Sequence, residues 1–172
     1  SWSSEFYRSG VIDYVYGSLE LATTTTTNDS ITVSVTGTER VIIESEKVDA
    51  LWYANRADLP VRNFNASNAN ETYTLTQDLT PTAAGVLSIN GVASSGNRST
   101  IDLNNKSGFT LSNETTLNFS DVKVENGKDD VIVNATNSSA IINVDNSVID
   151  GDITGSGYTL TATGSSSLEN IS

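Results

Sequence analysis

Residues 86–126, VLSINGVASSGNRSTIDLNNKSGFTLSNETTLNFSDVKVEN, decide the fold. Leu87 and Ile89 form an apolar-x-apolar pair, one residue in, one out, one in. That alternation is the period-2 mark of a half-buried strand. Phe109 and Leu111 repeat the pair one step on, and Val131 and Val133 repeat it after an equal step. A further equal step reaches Ile153, with Gly155 in the partner position. Between these lie Ile101 and Leu103, Leu117 and Phe119, Val122 and Val124, and Ile142 and Val144. Short strands at a fixed period of about 22 residues predict a solenoid, whose repeats bury their apolar faces only by stacking on one another. The polar breaks between strands are too short for helical crossovers, so parallel pairing has to come from coiling the whole chain. An antiparallel β-sandwich is the alternative, because Asn126-Gly127 and Asp150-Gly151 also favour tight hairpins. Asn104 and Asn126, separated by the same step, are expected to stack with their amides bonded along the axis.

Composition narrows the function. The chain has 172 residues, 37% hydrophobic, and a formal net charge of −12. Ser, Thr and Asn dominate, which fits many short strands joined by polar turns. The recurrent Val and Ile pairs argue against a disordered polar tract. An acidic chain repels phosphate backbones and anionic lipid, which excludes nucleic acid and membrane surfaces as primary partners. Cys and His are both absent, so thiolate metal sites, disulfides and the commonest general base are ruled out. Met is absent too, which points to a processed product or an excised piece with more chain to follow. No apolar run reaches transmembrane length.

Residues 1–70 read differently. Trp2, Phe6 and Tyr7 make the start aromatic, and Val11 to Leu21 reads as one or two strands broken at Gly17. Thr23 to Thr27 favour extended backbone; a single run of threonines does not supply the two-dimensional array that ice binding needs. Ile31 to Val35 and Val41 to Ile43 predict a hairpin. Glu46 to Leu59 carries the one helical spacing, with Ser45 as N-cap and Pro60 as the stop. Trp52 and Tyr53 read as packing residues before they read as a ligand platform. The turn-prone stretch Asn63 to Asn70 marks a boundary: residues 1–70 as a cap or small β subdomain with one short helix, residues 71–172 as the solenoid repeats.

The stretch 86–126 and the later SSAIINVDNSVIDGDITGSGYTLTATGSSSLENIS resemble the repeats of bacterial autotransporter passengers and polymorphic outer-membrane-type surface proteins. The likeness lies in a Gly-aromatic-Thr-Leu strand (Gly108 to Leu111), a Leu-x-Phe strand (Leu117 to Phe119) and a strand ending at Asn126. It covers Tyr73 onward. The resemblance implies a right-handed parallel β-helix, exported and displayed at the cell surface for adhesion or as a stalk.

Chemistry is sparse. Asp129 with Asp130, and Asp150 with Asp152, are the acid pairs that a glycoside-cleaving β-helix would need. Neither has a His or a clustered base beside it, so no catalytic residue is assigned. Asp145, Asp150 and Asp152 are a weak oxygen-ligand set, and no metal or cofactor is expected. Asn-x-Ser/Thr sequons occur at Asn28, Asn65, Asn70, Asn97, Asn105, Asn113, Asn118, Asn134, Asn137 and Asn170. The expectation is a non-enzymatic extracellular surface protein, adhesin or stalk. Its partner would be a host or neighbouring-cell surface glycan or protein, or further copies of itself. A subunit of a glycosylated extracellular filament or surface layer is the alternative, and a carbohydrate-active β-helix enzyme the third reading.

Overall fold

The computed structural model describes residues 7–8, 11–12, 29–34, 40–45, 51–52, 54–55, 61–66, 68–112, 114–136 and 139–172. The strands are β1 (Tyr7–Arg8), β2 (Val11–Ile12), β3 (Asp29–Ser34), β4 (Arg40–Ser45), β5 (Val61–Asn65), β6 (Thr72–Thr74) and β7 (Gly85–Asn90). They continue as β8 (Ala93–Ser94), β9 (Asn97–Lys106), β10 (Phe109–Thr110), β11 (Thr115–Ser120), β12 (Val122–Gly127) and β13 (Val131–Ala135). The last four are β14 (Ile141–Asp145), β15 (Val148–Gly155), β16 (Thr159–Thr163) and β17 (Ser167–Ile171). The fold is all-β with mainly parallel strands in curled sheets.

One sheet runs β16-β14-β11-β7-β5-β3-β4, and the other runs β10-β13-β15-β12-β9-β6 with β17 added on β15. The chain alternates between them, so a strand meets its parallel neighbour only after crossing the other sheet. β5, β7, β11, β14 and β16 pair in parallel. In the other sheet β6, β9, β12, β15 and β17 do the same. The antiparallel ladders described are β1–β2, the hairpin β3–β4, β3–β5 and the small β8–β9 arm. The β3–β4 hairpin is the one expected from residues 31–43. The strands from β5 onward do not form an antiparallel sandwich.

Register brings like residues together. Arg62, Leu87, Leu117, Ile142 and Leu160 form one column, and Phe64, Ile89, Phe119, Val144 and Ala162 another. Opposite them stand Tyr73, Ile101, Val124, Ile149 and Leu168. Phe109, Val133, Ile153 and Ile171 complete the interior. The residues of these columns from Tyr73 to Ile153 are at most 1% exposed. Full burial of each such side chain is worth about 1.5–3 kcal/mol. Edge-to-face ring pairs, Phe64 with Tyr73 and Phe109 with Phe119, both at 5.6 Å, join the columns across the core.

The equal step read from the sequence is not the spacing of the sheets. Leu87 lies beside Leu117 on the adjacent strand, and not beside Phe109. Phe109 pairs with Val133 rather than Val131. Along the column Arg62, Leu87, Leu117, Ile142 and Leu160 the steps are unequal, longest between Leu87 and Leu117 and shortest at the end. The first step of the apparent period linked strands of different sheets, and the later steps linked neighbours β10, β13 and β15 out of register, because the connections vary in length and one of them carries the β8–β9 arm. A register shift at Val131 also turns Ile132 inward beside Val133. One pass before Ile89 stands Phe64, so strand pairing runs straight across the boundary expected at residue 70.

Sharp corners join the sheets. Asp121, Asn146 and Gly164 take left-handed backbone, with φ of 57°, 47° and 63°. Asn and Asp tolerate this conformation and Gly adopts it freely. Buried Ser147 secures one corner: its Oγ donates to the Asp145 carbonyl at 2.8 Å and accepts from the Val122 amide at 3.1 Å. Toward β5 the interior ends on polar residues. Arg62, wholly buried, donates to the carbonyls of Ala83 (2.8 Å) and Ala84 (3.2 Å). Asn55 donates to the Thr80 carbonyl and accepts from Thr82 Oγ1 at 2.7 Å. Leu51, Trp52, Ala54 and Asn55 have helical backbone, and Leu51 and Ala54 join the core with Trp52 packed against it. Tyr53, Pro60, the rest of the expected helix and the threonine run lie outside the described residues.

Candidate functional site

Two outward faces carry the polar chemistry. On the seven-stranded sheet, Asn63, Ser88, Asn118, Asn143 and Thr161 share one register column, and Asn65, Asn90, Ser120, Asp145 and Thr163 the next. Their side chains bond along the column: Asn143 Nδ2 to Asn118 Oδ1 (2.8 Å), Asn118 Nδ2 to Ser88 Oγ (3.0 Å), and Asn90 Nδ2 to Asn65 Oδ1 (3.0 Å). Parallel strands place equivalent side chains about 4.8 Å apart, within reach of such bonds. In these two columns only Asp145 is charged. The axial amide ladder expected at Asn104 and Asn126 is therefore here instead. Asn104 Nδ2 donates to the Leu75 carbonyl, and Asn126 Nδ2 to Asp102 Oδ1. Both sit in left-handed backbone.

The second face is acidic. Asp102, Glu125 and Asp150 align across β9, β12 and β15. Glu169 of β17 stands between Leu168 and Asn170, which pair with Ile149 and Asp152, and so lies near this row. Interaction with Asp150, followed by the charges of Asp130 and Asp152, holds the Glu169 carboxyl above its ordinary value. Lys123 Nζ lies 2.9 Å from Glu125 Oε1. This bond raises the lysine above its usual value against a smaller opposing effect of burial. A shallow groove of about 370 Å³ borders the row, lined by Asp102, Asn104, Asn105, Asn126, Gly127, Asp129 and Asp130.

Of the acid pairs, Asp129 and Asp130 sit in a tight turn with left-handed φ of 54° and 65°. Asp150 and Asp152 flank Gly151 inside β15, both half-buried. Asp152 accepts from Asn170 Nδ2 at 3.1 Å. Asp145 belongs to the other sheet, where it accepts from Thr163 Oγ1, so the three aspartates of the oxygen-ligand set are not brought together. Among the described residues no group of three or more Asp or Glu is arranged to hold a metal ion. Of the sequon asparagines, Asn70, Asn97, Asn105 and Asn170 are exposed, while Asn65, Asn118 and Asn134 are half-buried. Asn28, Asn113 and Asn137 lie outside the described residues.

Sequence reading missed Arg98. It begins the β9 side of the β8–β9 arm and reaches across to later corners. Its Nε donates to the Asn146 carbonyl at 2.6 Å, and its Nη2 to Asn146 Oδ1 at 3.0 Å and the Ser165 carbonyl at 2.8 Å. Only the lone basic residue in a Ser-Gly-Asn-Arg-Ser turn hinted at it. No family model matches the chain, and neither a curated protein nor a solved structure matches it. No helix among the described residues is long and apolar enough to cross a membrane.

Proposed function

We propose that the chain is a segment of a right-handed parallel β-helix, displayed at the cell surface as a stalk or adhesin without enzymatic activity. The observation that carries this reading is the in-register stacking of parallel strands in each sheet, with apolar columns inside and polar columns outside. Each pass buries its apolar face only against its neighbours, as the repeats of a solenoid do. Right-handedness follows from the strong preference of parallel crossovers. The likeness of residues 73–172 to autotransporter passenger repeats agrees with it. A stiff lateral face with little charge offers neutral glycan or protein partners a regular array of amides and hydroxyls. The acidic row stands against the enzyme reading: Asp150 and Asp152 face other acids and Asn170, and the nearby Lys123 is engaged by Glu125.

A filament subunit is the second reading, favoured by the order of the seven-stranded sheet. Its outer strands, β16 and β4, both run parallel to β5, so β4 of one copy is able to continue the sheet beyond β16 of another. Head-to-tail joining of this kind does not close and makes filaments.

The test has two parts. Spin labels at positions 116 and 159, two strands apart in one column, should read a separation of about 10 Å. Bead-immobilised protein should retain neutral glycans or cells without releasing sugar fragments. Cleavage of an acidic polysaccharide by the pure protein overturns the stalk reading. Growth in mass with concentration replaces it with the filament.

A further inference from the structure

We propose that Asn70 and Asn105 are N-glycosylation sites of the folded chain, so that sugar stands over the eight-stranded sheet and the amide ladders of the other sheet stay bare. This rests on the export that the surface reading implies, since the sugar donor is a membrane-held lipid. More than half of the asparagines open an Asn-x-Ser/Thr sequon, about twice the number that the Ser and Thr content gives by chance. The fold sorts these sequons. An acceptor needs an exposed side-chain amide that is not already bonded, and an open hydroxyl two residues on.

Most of the described sequons fail on the amide. Asn118 is half-buried in β11, which is paired on both sides, with β7 and β14. Its Nδ2 donates to Ser88 Oγ at 3.0 Å, and its Oδ1 accepts from Asn143 Nδ2 at 2.8 Å. Asn65, also half-buried, accepts from Asn90 Nδ2 at 3.0 Å in the next column. Asn134 is half-buried between Thr110 and Thr154 on the flanking strands. Asn170 is exposed, but Asp152 Oδ1 holds its Nδ2 at 3.1 Å. To meet a transferase, Asn118 has to leave a central strand, which requires opening the sheet. Asn97 fails on the hydroxyl instead. Its side chain is exposed, but Ser99 is wholly buried, its Oγ donating to the Asn68 carbonyl at 2.8 Å and accepting from the Val92 amide at 3.0 Å.

Asn70 and Asn105 meet both conditions. Asn70 is exposed in the turn ahead of β6, and Thr72 is exposed at the start of that strand. Asn105 is exposed near the end of β9 in left-handed backbone, φ 59°, and Ser107 lies in the connection to β10. Among the described residues no side-chain hydrogen bond engages either amide or either hydroxyl. The register of β6 with β9 sets Thr72 against Thr100 and Thr74 against Asp102, so the two asparagines flank this pair at opposite ends. Each borders a groove on the outward face of the sheet, Asn70 beside Thr100, Lys123 and Val148, and Asn105 beside Asp102 and Asn126.

The donor is an oligosaccharide joined to a lipid through pyrophosphate. Asparagine Nδ2 forms a C–N bond to the anomeric carbon, the bond from that carbon to the pyrophosphate oxygen breaks, and the lipid pyrophosphate leaves with the electron pair. One amide proton passes to a base of the transferase, and one N–H stays on the linked nitrogen.

Protein recovered from its native cells tests this by glycopeptide mass spectrometry, with protease accessibility on intact cells measured in parallel. Asn70 and Asn105 should carry sugar at an occupancy at least about tenfold above that of Asn65, Asn97, Asn118, Asn134 and Asn170, the ratio set by the cost of opening strands. Asn70→Gln and Asn105→Gln should each lower the mass by one glycan. Bare asparagine at both positions overturns the proposal, and so does equal occupancy at Asn118. The protease readout judges the surface reading separately: protein shielded on intact cells overturns that reading, and accessible protein with both sites bare overturns the modification alone.

Discussion

Arg98→Ala should loosen the late strands while leaving the early ones intact. The guanidinium makes three hydrogen bonds to Asn146 and Ser165, at 2.6, 3.0 and 2.8 Å, residues 48 and 67 positions away in the chain. Hydrogen bonds from a charged donor contribute about 1.5–3 kcal/mol each where they are well shielded. These are shared and partly open to water, and bonds that share one side chain are not additive. A net loss of about 2 kcal/mol is therefore expected. Asn146 is itself the left-handed corner between β14 and β15, and its Nδ2 donates to Asp121 Oδ1 at 2.7 Å, so the loss should spread to both strands. The assay is urea unfolding followed by hydrogen exchange resolved to segments. Arg98→Lys keeps the charge but not the fork, and should recover less than half of the loss. A cycle with Asn146→Ala isolates the Nη2–Oδ1 bond from the two carbonyl bonds. If Arg98→Ala unfolds within about 0.5 kcal/mol of the parent, the size expected of an ordinary surface change, the arm is decoration and the reasoning fails.

Three further outcomes follow from the same packing. Phe119→Ala removes a wholly buried ring from the centre of its column and should cost about 3–5 kcal/mol, read by urea unfolding. A double-mutant cycle between Phe109 and Phe119 should give a coupling of about 0.5–1.5 kcal/mol, because the two rings meet edge to face at 5.6 Å. Gly155→Ala should destabilise the β13–β15 contact strongly, because a β-carbon there falls on the Ala135 carbonyl and the backbone holds φ at 135°; hydrogen exchange of residues 133–135 and 153–155 reports it.

Strand character was legible in the sequence because it is local. Alternation at Leu117-Asn118-Phe119 or Val122-Lys123-Val124 states which residues face inward, and the structure buries those residues. The tight turn at Asn126-Gly127 was legible for the same reason, and Asn126 takes left-handed backbone there. Pairing was not. Whether Leu87 meets Phe109 or Leu117 depends on how much chain the intervening connections consume, and the β8–β9 arm changes that sum without leaving a periodic trace. Arg62 was equally opaque: by sequence it is one charge in a polar stretch, and only register with Leu87 places it inside. The acidic row had the same fate. Asp102, Glu125, Asp150 and Glu169 are unevenly spaced along the chain, and no fixed step joins them.

Unequal passes stack in register because the corners, and not the pass lengths, set the phase. From β11 to β12 the turn is the single residue Asp121, and from β14 to β15 it is Asn146-Ser147. The Asp121 amide donates to the Asp145 carbonyl, and the Asn146 amide to the Thr163 carbonyl, so each corner is bonded to the end of the following strand in its sheet. Fixing one corner on the next fixes where β12 and β15 begin, at Val122 and Val148, whatever length of chain loops out elsewhere. Extra residues can then be accommodated in the connections, such as the arm that carries Arg98, at little cost to the interior. Such a fold can lengthen or vary its outer loops while its core columns stay aligned.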